Sequence, residues 1–238
     1  ATFSAFASFH FRFKNAILTS SFKRKMVITW HGGSCIKIQS GNTVIVADPY
    51  AKETGMTPPR FSAAIVTKSH DHPHVQTASI GGAPFVIEGP GEYEIGGVHV
   101  FGIQTFHAAA EGRERGLNTA YVFEIEDMRI AHLGDIGDEK LRGETIEALE
   151  TVDILFIPVG GKKTIDGKTA KKIVDQIEPR IVVPIAYKIP GWKESLDPVE
   201  VFLKESGAVK AERMEKLVIK KKDLPQTEET RVIVLTVS

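Results

Sequence analysis

Between residues 68 and 77 the chain reads KSHDHPHVQT, which places His70, His72 and His74 together with Asp71 in five positions. In an extended segment alternate residues point to the same side, so His70 and His72 can reach one ion from one direction. Neutral imidazole suits zinc and its iron, nickel and manganese neighbours. A hydrolytic zinc centre takes about three protein ligands and keeps a position open for water, so more ligands must come from elsewhere. QTFHAAAEG offers His107 after the apolar run VHVFGI, and AHLGDIG offers Asp135 just after MRIA. Four candidate ligands, each at the end of a strand-like run, point to a metal centre rather than to scattered surface histidines. A divalent ion there would lower the pKa of bound water to about 7 and polarise a carbonyl or phosphoryl oxygen.

The elements that must position these residues are legible in outline. VITW, CIKIQ and TVIVADPY follow one another with a turn at SGN, and AAIVT, PFVIEG, VHVFGI, TAYVFEIE and MRIAHLGD continue the pattern. This half reads as meandering, largely antiparallel β-structure. Helical spacing of apolar residues follows over 138–150 and 167–179, the second ending at Pro179. DPVEVFLKESGA predicts a third helix with Asp197 as N-cap, Pro198 at the first helical position and Gly207 beyond the end. Buried-type strands lie between the helices at VDILFIPVGG and RIVVPIAYK, and KLVIKK and RVIVLTVS close the chain. Two β-rich sheets covered by helices, a layered α/β arrangement, accommodate this order.

At 238 residues the chain suits one large domain, since two would each have a small core. Thirty basic and thirty acidic residues cancel, which removes the overall field that draws a protein to nucleic acid. Cys35 is the single cysteine and cannot form an internal disulfide, which suggests a cytoplasmic location. No apolar stretch approaches the roughly 20 residues that span a bilayer, so no membrane partner is expected. Residues 1–25 stand apart: they are rich in Phe, Ser and basic residues and lack acids, and Met26 reads as a natural start. The extension is expected to be non-native or to cover an apolar groove or subunit interface, with FHFRF alternating at strand period. The remainder, 26–238, is the functional domain.

From Met26 onward the chain resembles the metallo-β-lactamase superfamily. More narrowly, it resembles the small bacterial Zn-dependent hydrolases related to ascorbate-phosphate lactonase. The residues that carry the likeness are ITWHGGSCIKI, VADPY, SHDHPH, GPGEYEIGGVHVFGI, FHAAAEG, RIAHLGDIG and VDILFIPVGG, in that order. The resemblance implies a single-domain, four-layered αββα sandwich with metal at one edge between the sheets. It implies His70, His72 and His107 as a three-histidine cup, Asp135 as a bridging ligand, and Asp48 as an outer carboxylate that orients a ligand.

The chain also departs from that pattern. The family sequence His-x-His-x-Asp-His is here His70-Asp71-His72-Pro73-His74-Val75, and Ala186 precedes Tyr187 where a last histidine is expected. A second ion would therefore keep at most His74 and Asp135, so the expectation is one firmly held divalent ion, zinc or else manganese or iron. Asp135 is the first candidate general base and Asp71 the other, while Tyr187 is a candidate donor to a developing oxyanion. The resemblance implies hydrolysis of an ester, lactone or phosphoester, phosphotriesters included, in a small-molecule substrate, by a homo-oligomer of two or more subunits. The alternative is a superfamily member that has lost its activity and serves as a binding protein. His31 and His132 read as structural or as outer partners, and the glycines of EGPGEYEIGG as turn formers. The five lysines of VGGKKTIDGKTAKK read as a solvated helix start or a contact to an anionic substrate.

Overall fold

The computed structural model describes residues 24–71, 75–107, 116–162, 164–226 and 230–238. In chain order the strands and helices are β1 (Met26–Trp30), β2 (Ile36–Ser40), β3 (Thr43–Ala47), β4 (Phe61–Ser62), β5 (Ile65–Lys68), β6 (Ile80–Gly81), β7 (Phe85–Glu88), β8 (Gly91–Ile95), β9 (Val98–Phe106), β10 (Leu117–Ile125), β11 (Met128–His132), α1 (Gly143–Leu149), β12 (Ile154–Pro158), α2 (Gly167–Ile177), β13 (Ile181–Ile185), α3 (Val199–Glu205), β14 (Glu212–Met214), β15 (Leu217–Ile219) and β16 (Arg231–Leu235). They form a six-stranded sheet ordered β15-β1-β2-β3-β5-β7, an eight-stranded sheet ordered β14-β16-β13-β12-β11-β10-β9-β8, and a small two-stranded sheet of β4 and β6. This is the layered α/β sandwich expected from the sequence, in one domain.

Side-chain alternation shows how the sheets bury both faces. Ile45, Ala47 and Ile65 join the main core between the sheets, whereas Val46 and Val66 belong to a smaller cluster with Cys35, Tyr50, Ala63 and Ile80 on the opposite face. β12 and β13 are buried at every residue, and both pair in parallel, as near-continuous apolar runs do when a sheet is covered on both sides. α2 packs an apolar stripe of Ala170, Ile173, Val174 and Ile177 inward, and Asp166 caps it by accepting from Thr169 N at 2.8 Å.

Three local expectations shift. The first half is not a simple antiparallel meander, because β3 pairs with β5, and β5 with β7, in parallel. α1 begins at Gly143 rather than near 138, since the preceding segment is drawn to the end of β9. There Gly137 N donates to Phe106 O at 2.8 Å and Asp138 accepts from Phe106 N at 3.0 Å. α3 is capped at Pro198, because the Asp197 backbone is engaged by Gly160 O and Lys188 N. FHFRF lies outside the described residues. Among the described residues no helix is long and apolar enough to cross a membrane.

The arrangement leaves one edge of the sandwich where several strands end together. Asp48 follows β3, Ser69 and His70 follow β5, His107 follows β9, Asp135 follows β11 by a short turn, and Ala186 follows β13. Strand ends on a rigid scaffold are where short loops can hold converging side chains.

Candidate metal centre

A chain of hydrogen bonds builds the first ligand. Asp48 sits at φ +46, a left-handed conformation that aspartate tolerates better than most residues and that turns its carboxylate back toward the end of β5. Its Oδ1 accepts from Ser69 N at 2.7 Å and its Oδ2 from Ser69 Oγ at 2.5 Å. Ser69 Oγ also lies 2.9 Å from His70 Nδ1. A carboxylate oxygen only accepts, so the serine proton goes to Asp48, and Ser69 Oγ is left to accept from His70 Nδ1–H. That assigns the tautomer in which Nε2 carries the lone pair, the form that ligates metal. Burial holds His70 below the ordinary histidine range, against the opposing pull of Asp48 and Asp135, which keeps the ring neutral near pH 7.

The other two donors are held by neighbouring loops. His107 is 5% exposed, and its Nε2 lies 3.1 Å from Asp135 Oδ2. The His70 and His107 rings meet edge to face, with centroids 4.6 Å apart. Burial alone would raise the Asp135 carboxyl, but the hydrogen bond with His107, the neighbouring imidazoles and the Thr164 hydroxyl hold it below the usual carboxylate range. Asp135 N donates to Asn118 Oδ1 at 3.0 Å, while Asn118 Nδ2 donates to Thr105 Oγ1 and Leu133 O. Gly134, at φ +63, lets this turn lie on Ser69 and Asn118. A Cβ there would come within 2.4 Å of Ser69 Cβ.

Asn118→Ala should therefore lower stability by about 2–3 kcal/mol, because a buried N–H and a buried carbonyl lose their partners. It should also reduce metal content by freeing the Asp135 turn. Urea denaturation and metal analysis of the same sample check both effects, and a variant of unchanged stability would contradict this role.

His70, His107 and Asp135 each bring one donor atom, and the three atoms lie within 4.8 Å of one another. Two imidazole nitrogens and a carboxylate oxygen, on short loops at one cavity wall, fit a divalent transition ion of the zinc type. The cavity measures about 280 Å³, and Asp48, Asp71 and Ala186 also reach it. Asp71 is exposed at its rim. His72 and His74 lie outside the described residues.

Tyr187 is a correction. Its hydroxyl donates to Leu235 O at 3.0 Å in the core and its ring packs on Trp30 at 4.6 Å, so it is turned away from the cavity and unavailable to an oxyanion. His31 and His132 are structural, as expected. His132 is fully buried, with Nε2 against Ser34 O at 2.8 Å and Nδ1 accepting from Gly134 N. Sequence reasoning missed Ser69, Asn118, Thr164 and Trp192. Only Ser69 carried a hint, as the hydroxyl residue directly before the first histidine.

Known proteins share the family and the fold of this chain. Residues 27–186 match the family model of the β-lactamase superfamily domain. A UPF0173 protein of Pyrococcus abyssi is 30% identical over 192 residues, covering 70% of this chain and 85% of its own. A UPF0173 metal-dependent hydrolase of Listeria monocytogenes is 29% identical over 198 residues, covering 68% and 85%. A crystal structure from Thermotoga maritima, provisionally named a Zn-dependent hydrolase of the metallo-β-lactamase superfamily, superposes with a TM-score of 0.73 at 34% identity. It covers 88% of this chain and 98% of that one.

Proposed function

The chain belongs to the metallo-β-lactamase superfamily, and on that premise we propose that it is a metal-dependent hydrolase of small ester, lactone or phosphoester substrates. The observation that carries this reading is the convergence of donor atoms from His70, His107 and Asp135 within 4.8 Å at a cavity wall. A divalent ion bound there, zinc by its ligand chemistry or manganese or iron, supplies Lewis acidity that activates water and polarises the scissile carbonyl or phosphoryl group.

The chain's own residues do the rest. Asp48, through Ser69, holds His70 with Nε2 directed to bind. Asp135, whose hydrogen bond with His107 favours its ionised form, serves as a ligand and as a proton acceptor. Asp71, exposed at the rim, is placed to pass a proton to solvent. Trp192 and Leu196 line the cavity and limit water around the reacting bond. His72 and His74, which follow His70 in the histidine cluster, are the remaining candidate ligands from the sequence.

The purified protein should contain about one equivalent of a divalent metal and hydrolyse a chromogenic ester or an uncharged phosphotriester. Dialysis against EDTA should remove both the metal and at least about 99% of turnover, and added zinc or manganese should restore them. A stable, metal-free protein that turns over none of these substrates with either ion would end the hydrolase reading and favour the binding-protein alternative.

A further inference from the structure

Beyond its donor atoms the cavity has an aromatic and acidic lining. Trp192 and Tyr50 meet edge to face at 5.3 Å and 83°. The Tyr50 hydroxyl is engaged elsewhere, donating to His31 O at 2.8 Å. Burial, and then the Cys35 side chain, push its pKa up to about 12, so Tyr50 remains a neutral aromatic wall. The Trp192 ring lies directly on Gly33, at φ +53, where a Cβ would sit 2.4 Å from the indole. The loop carrying Trp192 and Glu194 is pinned by backbone bonds from Lys193 N to Thr54 O at 2.8 Å, Lys188 N to Asp197 O at 2.9 Å and Asp197 N to Gly160 O at 2.7 Å. It is a fixed wall, so its chemistry is presented to whatever enters.

The charges on this lining have one sign. Among the described residues around the cavity the carboxylates are Asp48, Asp71, Asp135 and Glu194, and there is no lysine or arginine. Among the described residues, four carboxylates outweigh the charge of a single divalent ion, so this part of the lining favours cations over anions.

We infer that the Trp192–Glu194 wall is a specificity subsite for an uncharged or cationic group, with an ammonium seated on the indole beside the Glu194 carboxylate, and that it disfavours phosphomonoesters and other polyanions. This deepens the hydrolase reading and rests on it, narrowing the substrates to neutral or cationic esters, lactones and phosphotriesters.

The test uses metal-loaded protein and two thioacetates of the same shape, one with a trimethylammonioethyl leaving group and one with an uncharged 3,3-dimethylbutyl leaving group, alongside 4-nitrophenyl phosphate. The cationic thioester should show a kcat/KM about tenfold above its neutral twin at low ionic strength, with 4-nitrophenyl phosphate slowest. The ratio should fall toward one in Glu194→Gln and in Trp192→Ala, and persist in Trp192→Phe. Equal rates in the wild type, a ratio that survives Glu194→Gln, or preferred turnover of the phosphate would overturn the subsite. If metal-loaded protein turns over none of the three and neither the chromogenic ester nor the phosphotriester, the hydrolase reading fails and binding decides the subsite separately. Tetramethylammonium should then quench tryptophan fluorescence saturably, with a Kd raised about tenfold in Glu194→Gln. Absence of quenching, or a Kd indifferent to that change, sinks the inference as well.

Discussion

Replacing His107 with alanine should strip the protein of its metal and its hydrolytic activity together. His107 supplies one of three donor atoms within 4.8 Å, and its Nε2 faces Asp135 Oδ2 at 3.1 Å. A methyl group cannot ligate, and the remaining imidazole and carboxylate fall short of the three protein ligands a hydrolytic site uses. Metal affinity should fall by more than about a hundredfold, beyond the range seen when an outer partner is lost. Turnover under subsaturating metal should fall at least as far.

Because His107 is buried, the variant also loses packing, so folding must be measured independently by circular dichroism and thermal denaturation. His99 is the control: it lies on the same strand, β9, with its side chain exposed. His99→Ala should keep both metal and activity. A folded His107→Ala protein that still carries one equivalent of metal and turns over ester would remove His107 from the centre.

The second large effect is expected from Asp48→Asn, which changes no ligand. Asparagine tolerates the left-handed conformation at this position, so the backbone is kept and only the hydrogen-bond polarity changes. Asn Oδ1 can still accept from Ser69 N, but its amide nitrogen faces Ser69 Oγ as a donor where a carboxylate oxygen had accepted. The serine proton then turns toward His70 Nδ1, which must accept it, and the imidazole proton moves to Nε2, the atom needed for metal. Affinity should drop about 10- to 100-fold while the thermal midpoint changes little. Ser69→Ala breaks the same relay and should fall in the same range. Competition with a metal-sensitive chelator dye measures both. Wild-type affinity in Asp48→Asn would mean that the Asp48–Ser69–His70 chain does not set the ligand's tautomer.

The relay also marks a boundary of what residue order can convey. Asp48 was recognisable only through its place in a family-like motif, and Ser69 was an unremarkable hydroxyl. Their connection arises because β3 and β5 are parallel neighbours whose ends stand side by side, although the run of strand signals suggested an antiparallel meander. Asn118 gives no sequence signal at all: it is one polar residue in a buried strand. It matters because β10 passes beneath the turn between β11 and Asp135, where an unpaired amide would otherwise be buried. Tyr187 shows the converse. Its neighbourhood in sequence suggested a donor, yet β13 ends so that Ala186 reaches the cavity while the tyrosine turns into the core.

Residue types and strand periodicity were enough to identify the layered α/β class, the metal-binding chemistry and the candidates His70, His107 and Asp135. Apolar alternation and ligand identity are local properties written in consecutive residues. Tertiary structure alone decided which donors face one another, which tautomer His70 adopts, and that Trp192 and Glu194 share their cavity. Those relations depend on strand order and loop placement across two sheets, and hydrogen bonding between segments distant in sequence fixes them.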